Sequence, residues 1–405
     1  MLRPDKDRPS AEWIRSLRAR FPTESEIDRI LTRKMERRSG PGYSPLPIEA
    51  LIARLEALLH ARLGKQSYTF SDARWLSGGS SKLQMAFTLE WDRPGVGHEK
   101  TRMVLRMEPA ESIIETSRLR EFQLIKAFEG RVPVPPLFWC DADAEFLPYP
   151  ALVYGFAEGV TKPSAQRPDS GRNETSGVGI WLPPEMRAKL APQFVDFLAT
   201  IHTRDHRNAG LDAFDVPQLG TTQCAEWGMN WWDRVWEEDG DEEIPLLRLA
   251  SGWLRRNMPV LDRHSIIHCD YRIGNFLFTE HDARISAWLD WELGRIGDRH
   301  QDLAWTTSRP FGGFDEDGKT FLVCGMLPEP EFIAAYERAS GLQVDAKKLH
   351  WYKVYNNYSL AVLVLGTGYR IARNGKTHQD IVMATLLGIG YTILNQMREQ
   401  IEEGR

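Results

Sequence analysis

Cysteine is sparse in this chain: Cys140, Cys224, Cys269 and Cys324 are four residues in 405, with no C-x-x-C pair among them. That spacing excludes a disulfide framework and a thiolate zinc site, and the four read as reduced thiols of a cytosolic protein. Neither sign of charge dominates, with 51 Lys and Arg against 56 Asp and Glu and a net charge of −5. Nothing in that balance calls for nucleic acid or an anionic membrane as the main partner. Long apolar runs are missing too. Residues 354–369 and 381–397 carry no charge, but Asn356, Asn357, Tyr358 and Ser359 dilute the first, and Gly388 and Gly390 interrupt the second. A spanning helix needs about 20 mostly apolar residues, so both stretches are expected as buried core helices. Residues 1–10 are polar, with two prolines and no secretory apolar core, which points to a cytoplasmic chain. What remains is an ordinary folded composition, long enough for two or three lobes with cores of their own.

Three regions follow along the chain. Residues 1–65 read as a helical extension. Thr23-Glu24-Ser25-Glu26 has capping-box spacing and would open a helix that Gly40 closes. A second helix is expected from near Pro47 to near Gly64, with Ile48, Leu51, Ile52, Leu55, Leu58 and Leu59 recurring at helical spacing, so that one face packs on the next lobe. Residues 66–157 read as strands (70–76, 85–91, 102–107 and 151–156) with one helix over about 112–128, ended before Gly130. Residues 158–405 read as mainly helical. There, 163–179 has loop composition, 185–203 forms a helix ending in Ile201-His202, and Trp227, Trp231, Trp232 and Trp236 share another. That tryptophan stripe suits either core packing or an aromatic ligand wall. The acidic run Glu237-Glu238-Asp239-Gly240-Asp241-Glu242-Glu243 reads as a solvated loop.

The most chemical segment is 267–291. A β-branched run ends near His268, a second apolar run starts at Phe276, and Glu280-His281-Asp282 looks like the turn to a returning strand that ends at Leu289. Folding about that turn sets Asn275 nearly opposite Asp290, with Asp270 five residues upstream on the entering loop. Two carboxylates and a carboxamide at one hairpin end suit a hard cation with oxygen ligands, typically Mg²⁺ bound with phosphate. Upstream, Gly78-Gly79-Ser80-Ser81 lies between two strands, as a plain hairpin turn or as a loop whose backbone N–H groups approach phosphate.

His268, Asp270 and Asn275, with Asp290 after a strand, have the H-x-D-x-x-x-x-N…D spacing of the protein-kinase catalytic loop. In detail the chain resembles the aminoglycoside phosphotransferase type of small-molecule kinase. H-C-D-Y-R-I-G-N stands for that family's H-G-D-x-x-x-x-N, Leu289-Asp290-Trp291-Glu292 for L-D-W-E, and Gly297-Asp298 with Asp302-Leu303-Ala304 for G-D…D-L-A. With its V-L-R strand, it looks most like the branch also found fused to acyl-CoA dehydrogenases. The resemblance implies an α+β, protein-kinase-like fold, with an antiparallel-sheet N-lobe at 66–157 and a helical C-lobe at 158–405. It implies ATP or GTP with Mg²⁺ held by Asn275 and Asp290, and a glycine loop at Gly78, Gly79, Ser80 and Ser81. It implies a phosphate-gripping cation at Arg106, paired with Glu121 or its competitor Glu115. Val153, Tyr154 and Phe156 would form the connector that meets the adenine edge.

By the same resemblance, Asp270 accepts or orients the proton of a substrate hydroxyl. Arg272 either neutralises the γ-phosphate or braces the loop through Asp298 and Asp302. His268 is expected to be structural and Cys269 to pack, while Lys82, where relatives often carry Asn, has an open role. The acceptor is a small molecule, as a hydroxy acid, a hydroxyacyl compound or an aminoglycoside. Two other classes compete: a catalytically silent nucleotide-binding scaffold, and an unrelated metal-dependent hydrolase that would leave the glycine loop and Arg106 unexplained.

Overall fold

The computed structural model describes residues 5–41, 44–76, 82–109, 111–165, 180–375 and 380–404. Three helices come first: α1 (Ala11–Arg20), α2 (Ser25–Arg37) and α3 (Ile48–Leu63). Then β1 (Tyr68–Trp75), β2 (Leu83–Arg93), β3 (Gly97–Met107), α4 (Arg118–Phe128), β4 (Leu137–Asp141) and β5 (Ala151–Gly155) build the N-lobe. Its antiparallel sheet has the order β1-β2-β3-β5-β4. Side chains alternate across a strand. Met85, Phe87, Met103 and Leu105 therefore pack with Leu51, Leu55, Leu58 and Leu59 of α3 in one apolar cluster. Arg106, one step out of phase with Leu105, falls on the opposite face.

The C-lobe contains α5 (Pro184–Thr203), α6 (Gln223–Asp239) and α7 (Pro245–Arg256), then β6 (Ser265–Ile267), β7 (Phe276–Thr279), β8 (Arg284–Trp288) and β9 (Arg295–Gly297). After them come α8 (His300–Thr306), α9 (Glu329–Ser340), α10 (Ala346–Val362), α11 (Tyr369–Asn374), α12 (Asp380–Leu387) and α13 (Gly390–Glu403). A π-helical segment, Leu363–Gly368, joins α10 to α11. Two cores hold the lobe: one joins Phe194 of α5 to Phe276 and Trp288 of the hairpin, and the other joins Trp231 and Trp232 of α6 to Tyr355 and Met397. No helix among the described residues is long and apolar enough to cross a membrane.

The chain crosses from lobe to lobe at Gly159. Its φ is +134°, and a Cβ there would stand 2.8 Å from Ser286 Oγ and 3.0 Å from Leu277 Cβ, so only glycine lets the crossing lie this close on the β7–β8 hairpin.

Three local expectations change. The capping box at Thr23 does not form: Thr23 Oγ1 donates to Trp227 O at 3.1 Å, Glu24 pairs with Arg120 at 3.0 Å, and α2 ends at Arg37, short of Gly40. The helix expected from 112 starts at Arg118. The segment before it is held open by Lys82, whose Nζ donates to Ser112 Oγ at 2.9 Å and to Ile114 O at 3.1 Å. The acidic run is not a solvated loop throughout, because Glu238 and Asp239 are fully buried at the end of α6. Lys34 of α2 lies 2.8 Å from Glu238 and 3.0 Å from Asp239. Arg234 pairs with Glu238 at 2.8 Å, and Arg370 with Asp239 at 3.1 Å. Arg38 pairs with Asp239 as well. The loop composition at 163–179 falls largely on residues 166–179, outside those described.

Burial pushes the Asp239 carboxyl up, and Lys34, Arg38 and Arg370 more than reverse this, holding it well below the usual carboxylate range. Removing one partner of such a network strands the other charges in a low dielectric. Asp239→Ala should destabilise the protein by about 3–5 kcal/mol, read as a lower urea midpoint. A shift near zero would show that these pairs do not anchor the N-terminal helices.

Candidate active site

The loop between β6 and β7 is held by its backbone. Asp302 Oδ2 accepts the N–H of His268 at 2.7 Å, and its Oδ1 accepts the N–H of Cys269 at 2.6 Å. Behind it, His202 Nε2 lies 3.1 Å from Asp302 Oδ2, and Nδ1 lies 2.8 Å from Tyr336 Oη. His268 is itself a spacer: Nδ1 accepts the N–H of Asp270 at 3.3 Å, so Nε2 is the donor to Leu289 O at 3.0 Å. Cys269 stands at φ +64°, in the left-handed region where most side chains are strained, and where the resembling motif H-G-D carries glycine.

These constraints aim Asp270 into a cavity. Its Oδ1 accepts from Arg272 Nε at 2.8 Å and Trp305 Nε1 at 2.6 Å, and its Oδ2 accepts from Asn275 Nδ2. The β7–β8 hairpin forms, with a register shift between Leu277 and Phe278. Leu289 N–H donates to Asn275 O at 2.8 Å, which sets Asn275 beside Asp290, and Asp290 turns out of the strand at φ +62°.

Beneath Asp290 lies a buried ionic cluster. Arg106 Nε is 3.4 Å from Glu121, and its Nη2 is 3.2 Å from Glu292 and paired with Asp290. Glu115, the competing partner, instead faces Arg37 at 3.4 Å. Lys82 lies 3.0 Å from Glu108 and 3.2 Å from Glu292. Arg118 lies 3.3 Å from Glu108 and 2.7 Å from Glu292, and also pairs with Glu121. Burial opposes every charge here, yet the surrounding carboxylates raise Arg106 well above the ordinary arginine value. Lys82, Arg106 and Arg118 in turn overcome burial to hold Glu292 well below the usual carboxylate range. Tyr154, on the same face of the sheet, is pushed up to about 12 by burial.

Several expectations shift with this geometry. Val153 and Tyr154 cannot offer free backbone to an adenine edge. They lie inside β5, with β3 on one side and β4 on the other. Phe156 follows the strand, but its N–H donates to Arg102 O at 2.8 Å, and its ring stacks on the Arg102 guanidinium at 4.1 Å. The connector therefore begins after Phe156. Gly78, Gly79, Ser80 and Ser81 lie outside the described residues. Loop bracing comes from Asp302 through backbone N–H groups, while Arg272 turns to Asp270 and donates from Nη1 to Ile273 O at 3.0 Å. Trp305, Glu292 and Lys82 had no role assigned from sequence. Only Glu292, inside the L-D-W-E match, stood in a recognisable motif.

The cavity that Asp270 and Asp290 border has a volume of about 620 Å³ and walls that are mostly apolar, among them Trp231, Trp232, Leu293, Phe311, Leu363 and Ile393. Among the described residues its carboxylates are Asp270, Asp290 and Glu292, and each is already engaged.

A profile described as "Phosphotransferase enzyme family" matches residues 92–352. Acyl-CoA dehydrogenase family member 11 from Gallus gallus is 27% identical over 275 residues, covering 65% of this chain and 33% of that protein. A probable acyl-CoA dehydrogenase, IBR3, from Arabidopsis thaliana is 25% identical over 293 residues, covering 67% of this chain and 34% of its own length. The chain thus spans about a third of the curated relatives it matches. Among solved structures, a Ralstonia eutropha protein provisionally named an aminoglycoside phosphotransferase superposes with a TM-score of 0.63 at 20% identity, over 87% of this chain and 98% of the other. A Plasmodium vivax ethanolamine kinase superposes with a TM-score of 0.53 at 11% identity, over 93% and 99%. These likenesses establish the fold as α+β and kinase-like.

His202 gives the site a pH signature. Burial disfavours its imidazolium, and although Asp302 partly offsets this, the native pKa lies below the ordinary value. An unfolded histidine takes its proton near pH ~6.5. Below that pH the unfolded state binds more protons than the native one, so stability falls. The melting temperature should drop between pH 7 and 5, a fall opposed in part by Glu115 and Glu121, whose carboxyls burial raises, and His202→Asn should lessen that slope. His206, also lowered by burial, keeps part of it. An unchanged slope would remove His202 as its source.

Proposed function

The chain belongs to the phosphotransferase enzyme family, and from that premise we propose that it transfers the γ-phosphate of ATP or GTP, with Mg²⁺, to a hydroxyl group of a small molecule. The observation that carries this reading is Asp270, a carboxylate clamped by three donors at the edge of an apolar cavity, with Asn275 and Asp290 beside it.

The residues present fit a cation. Asn275 spends its amide nitrogen on Asp270, donating to the backbone O at 2.9 Å and to the carboxylate, so its Oδ1 remains the acceptor. Asp290 adds a carboxylate whose side chain is 30% exposed. Two hard oxygens, completed by phosphate and water, are what Mg²⁺ takes. When bound, the ion supplies neutralisation of phosphate charge. The side chains do the rest. Asp270 receives the acceptor hydroxyl and orients its oxygen in line with the γ-phosphate. Arg272, tied to Asp270 by Nε and resting 5.0 Å from the Phe311 ring centroid, carries positive charge to the transferring group. The loose transition state of phosphoryl transfer makes such positioning and charge balance the main sources of acceleration.

The cavity also narrows the acceptor. A polycationic aminoglycoside calls for unengaged carboxylates, and the three on these walls are occupied. The remaining carboxylates of the acidic run border a different pocket, together with Lys6 and Arg373. An acceptor with an apolar body, such as a hydroxy acid or hydroxyacyl compound, suits the walls.

Asp270→Asn keeps the shape of the side chain and removes its charge. It should lower acceptor-dependent ADP release by about 10²–10⁴-fold, while thermal stabilisation by ATP plus Mg²⁺ persists. Turnover at the wild-type rate would overturn the assignment of Asp270. A wild-type protein stabilised equally by ATP with and without Mg²⁺, and silent with every hydroxylated acceptor, would favour a nucleotide-binding scaffold.

A further inference from the structure

One buried guanidinium in the cavity wall has no carboxylate within ion-pair distance. Arg295 opens β9, where its pairing with Ile267 of β6 sets it directly beside the strand that feeds the Asp270 loop. It is 3% exposed and lines the same cavity as Asp270. Of the eight buried arginines among the described residues, it alone has no carboxylate within 4 Å. Its Nη2 donates to Gln301 Oε1, and its buried Nε has no hydrogen-bond partner. Arg106 and Arg118 also have an Nε without a hydrogen bond, but each keeps carboxylates within 3.4 Å. Glu24, the one carboxylate named among the main influences on Arg295, is already bound by Arg120 at 3.0 Å.

The surroundings make room for this charge without neutralising it. α6 faces it with Gly228, where a Cβ would stand 3.3 Å from Arg295 Nη1 and 2.6 Å from Tyr355 Oη. Cys269, Trp232, Gln301 and Tyr355, which line the cavity with Arg295, are uncharged groups. Buried charges are ordinarily paired, and a guanidinium is shaped to hold a planar carboxylate. An unpaired one in the wall of an open apolar cavity is therefore matched to a ligand that brings the opposite charge.

We propose that Arg295, oriented by Gln301, is a carboxylate subsite of the acceptor cavity, binding the acid group of an acceptor whose hydroxyl is presented to Asp270. The inference rests on the phosphotransfer reading and deepens it, by giving the acceptor one negative charge and naming the residue that selects for it. Arg295 acts here as a specificity-determining residue.

The test uses octanoate and its neutral analogue octanamide as probes, titrated calorimetrically into the full chain, with MgATP binding measured separately. Octanoate should bind at least tenfold more tightly than octanamide, Arg295→Met should abolish the preference, and Arg295→Lys should retain part of it. Equal binding of the two probes to the wild type, binding of neither, or a preference that survives in Arg295→Met overturns the proposal. If the Met variant fails to fold, the wild-type pair of titrations decides alone. An octanoate preference that depends on Arg295 in a protein that does not bind MgATP would support the subsite and count against the phosphotransfer reading.

Discussion

The structure depends on a group of charges taken out of water between the two lobes. Lys82, Arg106 and Arg118 meet Glu108, Glu121 and Glu292 where the sheet, α4 and the end of the β7–β8 hairpin converge. Burying ions in a low dielectric is unfavourable unless each finds a partner with good geometry, so such a group tolerates few arrangements. Its members come from the residue before β2, from β3 and the residue after it, from α4 and from the turn after β8, and satisfying all of them sets these elements relative to one another. Asp290 inherits its place from that arrangement, because Glu292, two residues on, is anchored by three cations.

A second buried ionic group does similar work for the N-terminal helices. α2 reaches the C-lobe through Lys34 and Arg38 on Glu238 and Asp239, α4 through Glu24 on Arg120, and the segment before α4 through Arg37 on Glu115. α3 lies with its leucines against the N-lobe sheet. The extension therefore touches both lobes: α2 by charge and by Ile27, Ile30 and Leu31 in the core around Trp231 and Tyr355, and α3 by its leucines against the sheet. Its bond to Glu115 also accounts for the helix partner of Arg106: Glu115 is occupied from outside, and Glu121 is left to face the cluster.

What could be read from the sequence follows the range of the forces involved. The hairpin was readable because a period of two residues runs along each strand; a one-residue register shift between Leu277 and Phe278 was not, and the Leu289 N–H on Asn275 O still sets Asn275 beside Asp290. The Glu238–Asp239 pair was not, since its cationic partner Lys34 stands 205 residues away and an acidic run in isolation looks solvated. The late start of α4 was hidden because Lys82, 30 residues upstream of Ser112, competes for the first turn. Val153 and Tyr154 were misjudged through strand order: β5 inserts between β3 and β4, a consequence of topology and not of local pattern. Trp305 carries no signal of its own, because an indole after D-L-A is also what a core helix would show.

Charge accounting joins the cluster to the proposed chemistry. With Asp290 included, four carboxylates face three cations. Three of those carboxylates are buried; Glu292 and Asp290 both line the cavity, and Asp290 is the one left partly exposed there, at 30%. The uncompensated negative charge of the group therefore emerges at the cavity wall. An added cation gains most there, since moving it deeper would displace an existing partner. Asn275 contributes a neutral oxygen to that spot, and Asp270 is tied to Arg272 and Trp305 next door. A cation held there would thus add positive charge at the point where the cluster is short of it, leaving the buried pairs that set the lobes undisturbed.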